Sequence, residues 1–284
     1  MSEVVAQVAT DAAAQAHHTG GAFNVSELIM HHITDGHEIE IPFTSMSIPL
    51  PQFPKIAGFD ISITRHVVMM WIACAILLGV TWLAARRAND PVPTGWRAVF
   101  EVFIKYIRDE IVRKAIGHDA DRYLPYLLTC FFFIWTCNLL GLIPGMSTPT
   151  SNIGVTAALA GIAFLVIQAA GVRQYGLLKH LKHVVPGGLP LWLYPIMIPV
   201  EILSLFTKPF ALCIRLFANM TAGHVVIIGL ISLIFILETA WAAAVSVPFT
   251  LFIYVLELLV CFIQAYIFTT LVSTFIGMSV HPAH

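Results

Sequence analysis

Two apolar runs in the C-terminal third, 194–237 and 240–280, constrain this 284-residue chain more than any other feature. Each holds about forty residues. As continuous helix each would measure about 60 Å, twice the hydrocarbon thickness of a bilayer. No polar turn splits either run, and Pro209 and Pro248 kink a helix without forcing it to reverse. The pattern predicts two long, strongly tilted helices that form a hairpin, with its turn near Glu238 and Thr239. Such a pair makes a curved wall, suited to packing against something round.

Only 11% of the residues are charged and 58% are hydrophobic, whereas a soluble domain carries about 25% charged residues. The expected fold class is an all-α integral membrane protein. A net charge of -1 gives no electrostatic case for a nucleic-acid partner. The five cysteines, Cys74, Cys130, Cys137, Cys213 and Cys261, all fall in apolar runs. They read as small buried hydrophobes, not as a disulfide or zinc framework. No basic stretch precedes an apolar core at the N-terminus, so no secretory signal peptide is visible.

Residues 1–62 read as an extracytoplasmic tail, with one short amphipathic helix expected at Ser26–His32. The tail histidines His17, His18, His31, His32 and His37 match no zinc spacing and read as part of a solvated tail. The membrane domain then covers 63–284, with shorter spans at about 67–85, 123–144 and 153–172. Arg86 and Arg87 follow the first span, and Arg173, Lys179 and Lys182 follow the third. The positive-inside rule places those ends in the cytoplasm, the N-terminal tail outside and the C-terminus inside. Over about 96–116, Arg97, Glu101, Lys105 and Arg108 share one helical face, and Phe100, Phe103, Ile107 and Ile111 the other. This predicts an interfacial helix on the cytoplasmic surface. A soluble-facing helix packed on a partner would show the same pattern. The segment GMSTPTSN, 145–152, is short, uncharged and turn-forming, and suits a loop on the outer face. The third span is rich in small residues (Gly154, Ala157, Ala158, Ala160, Gly161, Ala163), which allow close helix contact.

Within the first long run stands Arg215. Its guanidinium keeps its charge in any ordinary protein setting. At the centre of a bilayer that costs from about 3 to more than 10 kcal/mol. No acidic residue lies within one helical turn, so the compensating charge is expected from elsewhere, including another subunit. Snorkelling does not fit a residue so far from either end of its run. A structural ion pair with Glu201 or Glu257 is the alternative to an ion-pathway role. Glu201, Ser204, Lys208, Arg215 and Asn219 recur at helical spacing and share one face. Ala211, Ala218, Ala222 and Gly223 keep the nearby surface low, so another helix can approach. On the second long run Glu257 and Gln264 share a face. Antiparallel pairing puts Glu257 near the level of His224, and Gln264 near that of Arg215. A His and a Glu at one depth suit a proton relay. For each residue alone, the alternative is a satisfied polar group in the core.

The run Glu201…Ser204…Lys208-Pro209…Arg215-Leu216-Phe217-Ala218-Asn219-Met220…Ala222-Gly223-His224 resembles the subunit a family of rotary F-type ATP synthases. Asn138–Pro144, NLLGLIP, is similar to a segment of the same family, and Glu257 and Gln264 fit its last helix. The resemblance covers about residues 60–278 and is most specific around Arg215. It implies spans, a surface helix and two tilted helices lying against a rotor ring of c subunits. The chain would be no enzyme by itself and would need no cofactor. Its partners would be the c-ring, the stator b subunits, the rest of the synthase, protons and membrane lipid. Its expected place is a bacterial inner membrane, with the mitochondrial inner membrane as second choice. Arg215 would be the essential stator charge facing each rotor carboxylate. His224, Glu257 and Gln264 would line an outer half-channel, and Glu201 with Ser204 a cytoplasmic one, with Asn219 and Lys208 on the same pathway. The order of His224 and Glu257 is similar to the mitochondrial and related bacterial one. The alternative is a secondary transporter that binds an anionic substrate through Arg215, a class that shows internal repeats with broken helices. No such repeat is visible here. A membrane metal enzyme would need clustered histidines at span ends, whereas His180 and His183 stand alone.

Overall fold

A chain crossing a bilayer has no water to satisfy its backbone, so each spanning segment must bond its own N–H and C=O groups. The computed structural model follows that constraint. It describes residues 38–40, 47–49, 62–86, 95–143, 146–176, 194–237 and 240–281. Its helices are α1 (Arg65–Arg86), α2 (Trp96–Tyr106), α3 (Arg113–Ile116), α4 (Ala120–Gly141), α5 (Ile153–Tyr175), α6 (Tyr194–Leu237) and α7 (Ala240–Val280). Five helical stretches among the described residues are long and apolar enough to cross a membrane: 65–86, 97–141, 153–175, 195–234 and 243–280. The protein is an all-α membrane protein.

Among the described residues the one addition to that class is a small antiparallel hairpin in the N-terminal segment. It joins β1 (Glu38–Glu40) to β2 (Ser47–Pro49), with Ile39 opposite Ile48. Strands of three residues are too short to leave a periodic signal in the sequence. The helix expected at Ser26–His32 lies outside the described residues, as do the tail histidines, Arg87, Lys179, Lys182, His180 and His183.

Helices α6 and α7 run for 44 and 41 residues without a break. Pro199 and Pro209 lie inside α6 and Pro248 inside α7. Each proline removes one backbone donor, a loss that membrane helices absorb locally without ending.

The helix expected over 96–116 is not uniform. Helix α2 gives way to a π-helical turn at Ile107–Val112, then to α3. Ile107, Ile111 and Val112 are all buried there. The charged side chains stay outside and pair along the axis: Glu101 with Lys105 at 2.8 Å, Asp109 with Arg113 at 3.1 Å, and Glu110 with Lys114. Exposed pairs of this kind contribute little stability. The helix stops at Gly117, whose φ of 76° places it in the left-handed region that glycine tolerates. Helix α4 then starts at Ala120 and ends at Gly141, each three residues before the limits that hydropathy suggests.

The chain folds as two compact units, and several helices contribute to both. The first comprises residues 1–76, 135–152 and 216–263. Its apolar core joins Leu142, Met220 and Cys261 to Trp135, Leu139, Tyr254 and Val260. Trp135 also meets Phe262 edge-on, with ring centres 5.7 Å apart.

The second unit comprises residues 77–134, 153–215 and 264–284. Here α5 buries Thr156, Ala160 and Ala163. Gly154, Ala157 and Ala158, also read as contact residues, are exposed. Thr156 Oγ1 lies 3.5 Å from Cys213 Sγ on α6, and Phe164 stacks on Phe206. The end of α7 is tied down on several sides. The Tyr175 hydroxyl donates to the Val280 carbonyl at 2.8 Å, and the Ser279 hydroxyl donates to the Ile167 carbonyl at 3.2 Å. His281 Nε2 lies 3.8 Å from the Asp119 carboxylate. Gly277 packs against the Ala115 carbonyl with no room for a Cβ. The start of α4, the end of α5 and the end of α7 therefore meet at one place.

Candidate functional site

A 3.6-residue period sorts the side chains of α6 into two faces. Leu212, Cys213, Leu216 and Met220 are buried on one. Ala211, Arg215, Ala218, Asn219 and Ala222 are exposed on the other. Arg215 thus stands in the middle of a low surface of alanines. Among the described residues it makes no ion pair or hydrogen bond. Neither structural partner considered from the sequence reaches it. Glu257 faces His224, and Glu201 forms no ion pair among the described residues.

The five polar residues expected on one face of α6 divide in the structure. Arg215 and Asn219 are exposed, whereas Glu201, Ser204 and Lys208 are half-buried. A heptad drifts only about 20°, so their backbone positions still share one side of the helix; they differ in how far each side chain is covered. Lys208 has turned its ammonium over the Phe275 ring of α7, 5.2 Å from the ring centre, a cation–π contact.

The second group of predicted residues is brought together. Glu257 of α7 is 4% exposed, and its Oε1 lies 3.8 Å from Nδ1 of the half-buried His224 on α6. Neither carboxylate oxygen has a hydrogen-bond partner among the described residues. Gly223 lies directly against this carboxylate, and a Cβ there would overlap it. The other ring nitrogen of His224, Nε2, is hydrogen-bonded to the hydroxyl of Thr148. Gly141 in turn lies against Thr148, again with no room for a Cβ. Gln264, two turns beyond Glu257 on α7, is buried in the second unit.

Thr148 belongs to the segment expected to be an outer turn. Ser147, Thr148, Thr150 and Ser151 are all buried instead. The Thr150 hydroxyl donates to Asn138 Oδ1 on α4 at 2.6 Å. The Ser151 hydroxyl and backbone N–H both donate to the Thr148 carbonyl, at 2.7 and 3.1 Å. Four hydroxyl residues within five positions, with no charge, were the available sign that this loop turns inward. Ser246 and Thr250 were missed as well. They stand on the Glu257 face of α7, each 2% exposed, with hydroxyls that have no partner among the described residues. Isolated hydroxyls in an apolar run carry little signal, but stepping back from Glu257 by seven and then four residues reaches both. Among the described residues no cluster of three or more His, Cys, Asp or Glu stands ready to hold a metal.

A sequence profile described as "ATP synthase A chain" matches residues 67–277. A protein of Chloroherpeton thalassium named ATP synthase subunit a is 51% identical over 261 residues, covering 90% of this chain and 77% of that protein. One of Chlorobium luteolum, named ATP synthase subunit a 2, is 48% identical and covers 96% of this chain and 82% of its own. The ATP synthase subunit a of Myxococcus xanthus is 50% identical over 228 residues, with 79% and 75% covered.

The pinned loop yields a direct stability test. Asn138→Ala leaves the Thr150 hydroxyl buried without its acceptor and should cost about 1–3 kcal/mol. Combining Thr150→Val with Asn138→Leu removes both partners and should cost less than the sum of the single changes. Thermal unfolding of the detergent-solubilised protein measures this, and strict additivity would count against the bond.

Proposed function

The chain belongs to the ATP synthase A chain family, and from that membership we propose that it is the stator proton channel of an F-type ATP synthase in a bacterial plasma membrane. It is a membrane subunit, not a catalytic one. Its work is to couple proton passage to rotation of a ring of c subunits, held against it with the stator b subunits and the rest of the complex. The observation that carries this reading is Arg215: a permanent charge exposed on a face of alanines, with no counter-ion among the described residues. A charge so placed in an apolar helix needs an anion from outside the chain. A carboxylate on each rotor subunit, arriving in turn, supplies one.

The physics of the cycle follows from desolvation. A protonated rotor carboxyl can face lipid, whereas a charged one cannot do so without a partner. Arg215 favours deprotonation of the carboxyl that faces it and bars direct proton transfer between two offset half-channels. His224, Glu257 and Gln264 belong to the outer half-channel. Ser246 and Thr250 extend it, because buried hydroxyls without partners among the described residues suit a file of water. Glu201, Ser204 and Lys208 belong to the cytoplasmic half-channel, and Asn219 lies one turn from Arg215 on the rotor-facing surface. Each proton crossing 100 mV releases about 2.3 kcal/mol.

The pairing of half-buried His224 with buried Glu257 supports the outer relay. Glu257→Gln keeps size and polarity but cannot lose or carry a proton as a carboxyl does. It should slow proton flux through vesicles by roughly a hundred-fold or more, with assembly intact. His224→Ala should slow it less, since water can replace one step. Wild-type flux in Glu257→Gln would make that residue purely structural.

Topology has its own test. Arg86 and Arg87 follow the first span, and Arg173, Lys179 and Lys182 the third, a bias that favours a cytoplasmic C-terminus and an outer N-terminal tail. Single cysteines at Ser45 and His281 should label from opposite sides of the membrane. Labelling of both from one side would discard this orientation.

A further inference from the structure

An imidazole passes a proton efficiently only if its two nitrogens are aimed, and the bond made by one nitrogen sets the state of the other. His224 has one nitrogen, Nδ1, toward Glu257 and the other, Nε2, bonded to Thr148. Thr148 is itself held. Its carbonyl accepts both donors of Ser151, the neighbouring Thr150 is fastened to Asn138, and its side chain is 2% exposed against Gly141. At the other end of the chain of contacts, Gly223 leaves space that the Glu257 carboxylate fills. Two glycines therefore flank a row of three side chains, from Thr148 through His224 to Glu257, and a Cβ at either would displace an end of it.

We infer that Thr148 is a positioning residue of the proton relay: its hydroxyl, bonded to Nε2, holds the His224 ring with Nδ1 aimed at the Glu257 carboxyl. The inference rests on the relay reading of His224 and Glu257. A hydroxyl suits the task because it both donates and accepts, so it holds Nε2 whichever nitrogen carries the proton. A carbonyl in its place would hold only one tautomer. The loop bonds to Asn138 and Ser151 give this hydroxyl a fixed place, which a free surface threonine would lack.

The test compares two changes at one position in membrane vesicles carrying the whole complex. Thr148→Val keeps the volume and removes the hydroxyl; Thr148→Ser keeps the hydroxyl and removes a methyl group. Proton flux should fall about ten-fold or more in the first, the size expected when a reacting group is misaligned, and stay within about two-fold of wild type in the second. A packing role predicts the reverse order, and that order, or wild-type flux in both, would overturn the inference. A double-mutant cycle guards against mere loss of folding. In a His224→Ala background, Thr148→Val should lower flux no further, because it acts through the ring. A further loss there would also overturn it. Glu257→Gln is measured alongside. If it loses flux while Thr148→Val does not, the relay stands and the role of Thr148 falls. If Glu257→Gln keeps wild-type flux, both fall together.

Discussion

A guanidinium cannot discard its charge, and an apolar helix cannot solvate it. Much else in the structure answers to that constraint at Arg215. Alanines flank the charge, so the surface around it is flat enough for a second helix to come close. Among the described residues no carboxylate pairs with Arg215: Glu257 is buried toward His224, and Glu201 makes no ion pair. A carboxylate from the same chain beside Arg215 would neutralise it permanently and leave nothing for a passing partner. In the proposed role the charge stays unpaired within the chain, while the opposite face of α6 buries Leu212, Leu216 and Met220.

The polar groups that the chain does keep for itself are organised differently. Asn138, Thr150, Thr148 and Glu257 are buried and His224 half-buried, a set contributed by three helices and a loop. Its members are placed by bonds or by steric limits, Gly141 and Gly223 among them. The contrast is between one permanent charge that is exposed and a second set of polar groups that is largely enclosed. The proposed function uses both kinds, and Arg215 and His224 lie at separate positions along α6.

Much of this was legible in the sequence because it rests on length and period. Two apolar runs twice as long as a bilayer is thick, without a polar turn, leave little choice but two long helices. Counting outward from the turn expected near Glu238 and Thr239, which lie outside the described residues, brings His224 and Glu257 to one level, and the structure sets them 3.8 Å apart. Arg215 stands out because nothing around it is charged. What was not legible depends on the direction a side chain takes after a loop or a bend. The segment at 147–151 has the composition of an outer turn, and only tertiary contacts turn its hydroxyls inward. The π-helical turn at Ile107–Val112 has no marker in an amphipathic pattern, and the contact of Lys208 with the Phe275 ring depends on how α6 and α7 pack.

The measurement closest to the central claim is passive proton conductance beside coupled ATP synthesis, in vesicles carrying Arg215→Ala. Without the charge, rotor carboxyls can pass the stator still protonated or exchange protons directly between the half-channels. Coupled synthesis should vanish while passive conductance persists or rises. Normal coupled synthesis in that variant would contradict the account, since the charge around which α6 is arranged would then be dispensable.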